Sequence, residues 1–387
     1  MGIHLKEEKV NMKLRKLAAV AIGAALALGL TACAGQTRDT TGGSDTGSAA
    51  TEAGGLIGIA MPTKSLERWN NDGANLVSDL EAMGYTTTLQ YADNKVDQQI
   101  SQIQNMINQN PKVLVIASID GTALGPVLQT AADAGIAVIA YDRLINGTPN
   151  VDYYATFDNY LVGQLQGKFI EDQLGLKDGK GPFNLEPFSG SPDDNNAKFF
   201  FAGAWDVLSP YVTSAQLVVP SGKAPKSDDD WASIGIQGWD SAKAQSEMQN
   251  RLNSFYTGDT KVDVVLSPND SLALGIEQAL ESAGYTPGSD WPIVTGQDAD
   301  LANVKNMLDD KQSMTVWKDT RTLGDEVAKM VDQIVKGTTV DVNNTTDYNN
   351  GNKDVPSYLL QPEVVTKDTV ESILVGKGYY TKDQLGL

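Results

Sequence analysis

The chain has 387 residues, 49 acidic against 30 basic, with one histidine and one cysteine, and a formal charge of −19 at pH 7. So acidic a chain offers no surface to a nucleic-acid backbone, which excludes nucleic acid as a partner. One cysteine permits no internal disulfide, and one histidine leaves no ordinary zinc site.

In chain order, the first predicted element is an export signal. From Met12 the sequence runs MKLRKLAAVAIGAALALGLTACAG, a basic start at Lys13, Arg15 and Lys16 followed by an apolar core. Met1–Val10 precede it without adding a recognisable signal. The apolar run falls short of the roughly 20 residues that span a bilayer. Leu30-Thr31-Ala32-Cys33 reads as a lipobox, so residues 1–32 are expected to be a lipoprotein signal peptide and Cys33 the lipid-bearing first residue. Cleavage there removes His4 along with five basic and two acidic residues, taking −19 to −22. The mature protein would then lack any histidine general base or free thiol nucleophile. Residues 33–54, rich in Gly, Ser, Thr and Ala, are expected to be a flexible tether.

Beyond the tether, short apolar runs alternate with segments of helical length. IGIAM precedes LERWNNDGANLVSDLEAMG, VLVIAS precedes ALGPVLQTAADAG, and AVIAY and YYATF lead into VGQLQGKFIEDQLG. Continuous apolar runs suit parallel strands buried on both faces, with the helices as crossovers. The pattern restarts at PFNLEPF and AKFFFAGAWDVLSPY, continues through LVVP, AKAQSEMQNRLNSFY, VDVVLSP and SLALGIEQALESAG, and ends in PIVTGQ and SMTVW. This predicts an α/β fold of two Rossmann-like lobes, parallel sheets flanked by helices, with no low-complexity linker between them.

Ligands of open parallel sheets bind beyond the carboxyl ends of the strands. Those ends carry Lys64, Glu67-Arg68-Trp69, Asp142-Arg143, Asp193-Asp194-Asn195-Asn196, Gly238-Trp239-Asp240, Asn269-Asp270, Gln297-Asp298 and Lys318-Asp319. Asp93-Asn94 and Asp120-Gly121 look equally polar. Each knot read alone is also an ordinary turn or helix cap. Taken together, mixed acceptors and donors suit the hydroxyls of a small polyol, and an indole suits the C–H face of a pyranose, a role open to Trp69 and Trp239.

The runs IGIAMPTKSLERW, VLVIASIDG, VIAYDRLI, YYATFDN, GPFNLEPFSGSPDDNNAKFF, LSPNDSLALGI, VTGQDAD, MTVWKDTRTL and VPSYLLQP closely resemble the type I, ribose/galactose-binding-like solute-binding proteins of sugar ABC importers, the multiple-sugar and xylose receptors among them. The similarity extends from about residue 56 to the end of the chain. It implies two lobes joined by a three-segment hinge that closes around one monosaccharide, held by Lys64, Arg68, Asp142 and Arg143 from one lobe and Asp194, Asn196, Trp239, Asn269, Asp298 and Lys318 from the other, with Trp69 added to the set as the indole noted above. It favours Asp194 over Asp193 and makes turns of Asp93-Asn94 and Asp120. The expected division is 55–158 plus 320–341 for the N-terminal lobe and 159–319 plus 342–387 for the C-terminal lobe. The implied partners are a permease with its ATPase, and the membrane through Cys33 on its extracytoplasmic face. A monomer is expected, with no catalytic residue, metal or cofactor. Lys64 and Asn269 stand where relatives vary, so fructose, glucose, galactose, xylose and arabinose all remain open.

Other classes are disfavoured by the residues themselves. A glycosidase could draw an acid and a base from Asp142, Asp194 and Asp298, but Arg and Lys partners keep carboxylates ionised where a general acid needs a raised pKa. Neither SDDDW at Ser227–Trp231 nor SPDDNN has the ligand spacing of a calcium loop. A regulator would open on a DNA-binding motif rather than an anchor. A sensory component that signals to a membrane chemoreceptor or kinase is the alternative use of the same sugar site.

Overall fold

The structure, a computed structural model, describes residues 54–387. The expected signal peptide and Cys33 lie outside the described residues, as does the tether apart from Gly54. Among the described residues no helix is long and apolar enough to cross a membrane.

The first lobe runs β1 (Leu56–Met61), α1 (Glu67–Ala82), β2 (Thr86–Tyr91), α2 (Val96–Ile107), β3 (Val113–Ile116), α3 (Gly125–Asp133), β4 (Ala137–Tyr141) and β5 (Tyr153–Phe157). The second runs α4 (Asn159–Leu174), β6 (Phe183–Pro187), α5 (Asn195–Thr213), β7 (Leu217–Val218), α6 (Ser241–Phe255), β8 (Val264–Leu266), α7 (Asp270–Ser282), β9 (Ile293–Val294), α8 (Leu301–Leu308) and β10 (Thr315–Trp317). The chain then returns through α9 (Thr320–Lys336) and β11 (Ser357–Leu360) to the first lobe, and passes by β12 (Glu363–Val365) and α10 (Lys382–Leu385) to the second.

The first sheet has the order β2-β1-β3-β4-β5-β11 and the second β7-β6-β8-β9, with every neighbour pair parallel. β10 and β12 form a separate antiparallel pair. Both faces of each sheet are covered, which is why the strands read as unbroken apolar runs. Val113 and Val115 of β3 join the core on the α1 and α9 side, while Leu114 and Ile116 join the one under α2 and α3. In the second lobe Val265 faces α6 and α7, and Val264 and Leu266 face α5.

The chain crosses between lobes after β5, after β10 and after β11, which gives the three-segment hinge. One boundary differs from the sequence expectation. Residues 357–360, expected in the second lobe with 342–387, pair with Tyr154–Phe157 of β5 and complete the edge of the first sheet. A four-residue edge strand carries no pattern that says which sheet it joins, and hydrogen bonding to β5 decides it.

Glu277 of α7 is a buried carboxyl with an incomplete shell. Its Oε2 accepts from Asn306 Nδ2, while Oε1 has no hydrogen-bond partner. Burial pushes this carboxyl up to about 8. A carboxyl raised by folding leaves stability intact below its unfolded value of about 4.3 and costs stability as pH climbs from there through its folded value. Melting of the wild type between pH 5 and 8.5 should therefore fall more steeply than that of Glu277→Gln, which should be a few degrees, roughly 2–4 °C per kcal/mol, more stable at pH 8. Parallel slopes for the two proteins would refute this assignment.

Candidate functional site

The carboxyl ends of both sheets face one another across the cleft, and the strand-end residues meet there. Arg68 and Trp69 lie in the first turn of α1, directly after β1. The Arg68 guanidinium is buried and takes three carboxylates: Nε to Asp72 Oδ2 at 2.9 Å, an Nη to Asp142 Oδ1 at 2.9 Å, and the other Nη to Asp298 Oδ1 of the second lobe at 3.5 Å. Asp72, one helical turn after Arg68, is itself held by the Tyr141 hydroxyl at 2.6 Å.

Asp142 follows β4 with φ 59°, a left-handed conformation in which non-glycine residues are strained. Its carbonyl accepts from Thr156 Oγ1 at 2.9 Å and Asn196 Nδ2 at 2.8 Å, and the Tyr154 hydroxyl lies 2.8 Å away. Those donors hold the turn that aims its carboxylate at Arg68. Arg143 reaches the other lobe, with Nε 2.9 Å from Asp194 Oδ2.

Asp194 caps α5 through Oδ1, which accepts the Asn196 amide at 3.0 Å, and its Oδ2 accepts the Trp239 indole N–H at 3.1 Å. Asn269 caps α7 at the Leu272 amide. Lys318, after β10, pairs with Asp298 at 2.9 Å. Trp239 and Asp298 also have positive φ, 55° and 97°. Burial alone would raise Asp142, but Arg68, Lys318 and Arg143 beside it outweigh burial and hold its carboxyl below the usual range. Asp194 behaves differently: burial dominates and raises it, against the pull of Arg143.

Ten nominated residues, Arg68, Trp69, Asp142, Arg143, Asp194, Asn196, Trp239, Asn269, Asp298 and Lys318, line a single cavity. Lys64 does not: it is exposed outside the cavity, its ammonium 5.0 Å from the Tyr91 ring centroid. Two lining residues were not singled out by sequence, Leu66 and Phe200, while Gln297 stood among the strand-end residues without being assigned to the ligand. Phe200 stands one helical turn after Asn196 on α5, a spacing that placed it on the same face. Asp120 behaves as the expected turn, its Oδ1 accepting from the amide and hydroxyl of Thr122.

Six buried atoms in the cavity wall have no hydrogen-bond partner: Trp69 Nε1, one Arg68 Nη and Arg143 Nε as donors, and Asp142 Oδ1, Gln297 Oε1 and Asp298 Oδ1 as acceptors. The charged members are ion-paired by distance, yet their geometry is not that of a hydrogen bond. Trp69 Nε1 and Gln297 Oε1 have no partner of either kind, and because buried polar groups in native proteins are almost always satisfied, these two mark where a polar ligand would sit.

Gly190 seats the Trp239 ring. A Cβ there would fall 2.0 Å from indole Cη2 and 2.5 Å from Cζ2, so any side chain displaces the ring. Gly190→Ala should lower stability by about 1–3 kcal/mol, as overpacking does. In a Trp239→Phe background, which removes the obstructing benzo ring, the same substitution should cost little. An equal cost in both backgrounds, measured by denaturant unfolding, would show that Gly190 acts through something else.

The periplasmic binding protein domain family matches residues 57–339. The chain is 53% identical over 332 residues to the multiple sugar-binding periplasmic receptor ChvE of Rhizobium radiobacter, covering 86% of this chain and 92% of that protein. It is 37% identical over 329 residues to the D-xylose-binding periplasmic protein of Escherichia coli, covering 85% and 92%. The crystal structure of an ABC transporter solute-binding protein from Clostridium phytofermentans with bound β-D-glucose is similar with a TM-score of 0.81 and 53% identity, covering 85% of this chain and 99% of that one. Fold, cleft and sequence lead to one conclusion: the chain belongs to the periplasmic binding protein domain family, in its two-lobed type I form.

Proposed function

We propose that the protein is the extracytoplasmic receptor of a sugar ABC importer, binding one monosaccharide between its lobes and presenting it to a permease. The observation that carries this reading is the mixed polar lining of the cavity, in which cations and carboxylates alternate and one buried donor, Trp69 Nε1, and one buried acceptor, Gln297 Oε1, have no partner. A sugar hydroxyl both donates and accepts, so a polyol can satisfy a mixed set that an anion or a cation cannot. Charge supports the same class. Arg68, Arg143 and Lys318 oppose Asp142, Asp194 and Asp298 around the cavity, so an uncharged ligand leaves the balance undisturbed. Trp239 and Phe200, edge to face at 66°, supply an apolar wall. The relatives named as sugar-binding receptors point the same way.

The reading is of a binding protein rather than a glycosidase. Asp194, the lining carboxyl that burial raises, has its oxygens occupied by the Asn196 amide, the Trp239 indole and Arg143, all donors, and so has no proton positioned for a leaving group. Lipidation of Cys33 would tether the receptor to the outer face of the membrane, more than one acyl chain giving lasting attachment. It would work as a monomer, since both lobes must dock on the permease.

Glucose, galactose, xylose, arabinose and fructose should be screened by thermal shift, because a ligand that binds only the folded state raises Tm by mass action. At least one should raise Tm, by about 2.7 kcal/mol of added stability at a hundredfold excess over Kd. Arg143→Ala and Asp298→Ala should abolish that shift while remaining folded. Binding retained within tenfold in both variants would place the sugar elsewhere.

A further inference from the structure

Glu67 opens α1 immediately before Arg68, yet it does not line the cavity. Its carboxylate crosses to the second lobe, where it accepts from the Leu301 amide at 3.2 Å through Oε2 and 3.4 Å through Oε1. Leu301 is the first residue of α8, and Asp300 at the N-cap position of that helix makes no side-chain cap of its own. The helix is therefore capped in trans, by the other lobe. The Tyr380 hydroxyl, which donates to the Ala299 carbonyl at 2.9 Å, also lies 3.3 Å from Glu67 Oε1 and completes the corner.

Building on the sugar-receptor reading, we infer that Glu67 is a positioning residue for closure: it sets affinity without touching the sugar, by capping α8 only while the lobes are together. Its contacts lie wholly between elements that the hinge separates. Two further hydrogen bonds join the lobes, from Gly121 N to the Asp193 carbonyl at 3.2 Å and from Asn94 Nδ2 to the Gly238 carbonyl at 3.5 Å. A contact made only in the closed state shifts the open–closed balance by its own free energy. Because the sugar is not involved, the shift is the same for every sugar. A charged helix cap corresponds to a change of roughly five- to tenfold in affinity.

The test uses the whole protein with D-glucose and D-xylose as probes, measuring equilibrium affinity and dissociation rate for the wild type, Glu67→Ala and Glu67→Gln. Glu67→Ala should weaken every sugar the wild type binds by a common factor of about five to ten, mainly through faster dissociation, with the sugar-free melting point little changed. Glu67→Gln keeps one acceptor oxygen and should recover part of the loss. Affinities within twofold of wild type would overturn the inference and leave the receptor reading intact. A changed ratio between the two sugars would overturn it by placing Glu67 in the pocket. A wild type that binds neither probe, nor any other sugar of the panel, would bring down the receptor reading itself.

Discussion

The cleft is organised by the need to neutralise one buried guanidinium. Arg68 is paired within its own lobe by Asp72 and Asp142 and across the cleft by Asp298. Removing a partner from such a pair typically costs 3–5 kcal/mol, because the remaining charge is left uncompensated in low dielectric. Two partners on the same lobe mean that Arg68 is positioned before closure begins. Tyr141, donating to Asp72 from the end of β4, ties the network to the sheet. The first lobe thus offers a preorganised half-site, and the second brings Asp298, Asp194 and Lys318 to meet it.

Local strain serves the same end. Asp142, Trp239 and Asp298 all have left-handed backbones, and all line the cavity. Such residues persist only where surrounding contacts over-determine them. The donors converging on the Asp142 carbonyl do that in one lobe, and Ser271, whose hydroxyl donates to the Trp239 carbonyl, contributes in the other. Rigidity is concentrated at the walls, which leaves the three interlobe crossings as the natural place for movement.

Much of this was legible in the sequence, for definite reasons. Strands buried on both faces announce themselves as unbroken apolar runs, and in a parallel sheet their ends all point to the ligand side. Reading only those ends was enough to find the walls of the cavity. Lys64 shows the limit of that logic, since a loop following a strand has residues that turn outward as well as inward. Phe200 was lost inside the run KFFFAGAW, where one phenylalanine of three serves the cavity and composition cannot choose among them. Asp72 and Glu67 act through partners distant in sequence, Tyr141 and Leu301 among them, and only the fold brings those together. The same holds for β11, whose sheet is decided by its neighbour.

That edge strand bears on how the protein is made. The sheet that starts at Leu56 is not finished until Leu360 lies beside Phe157, so the first lobe depends on chain that leaves the ribosome, or enters a translocation channel, only after the intervening stretch has done so. Between the two, the second lobe is emitted as one nearly continuous stretch from Asn159 to Trp317. Pairings so distant in sequence form slowly. The earlier-emerging lobe is consequently the one that must wait, with β5 exposed as an unpaired edge, while the later-emerging one can consolidate first.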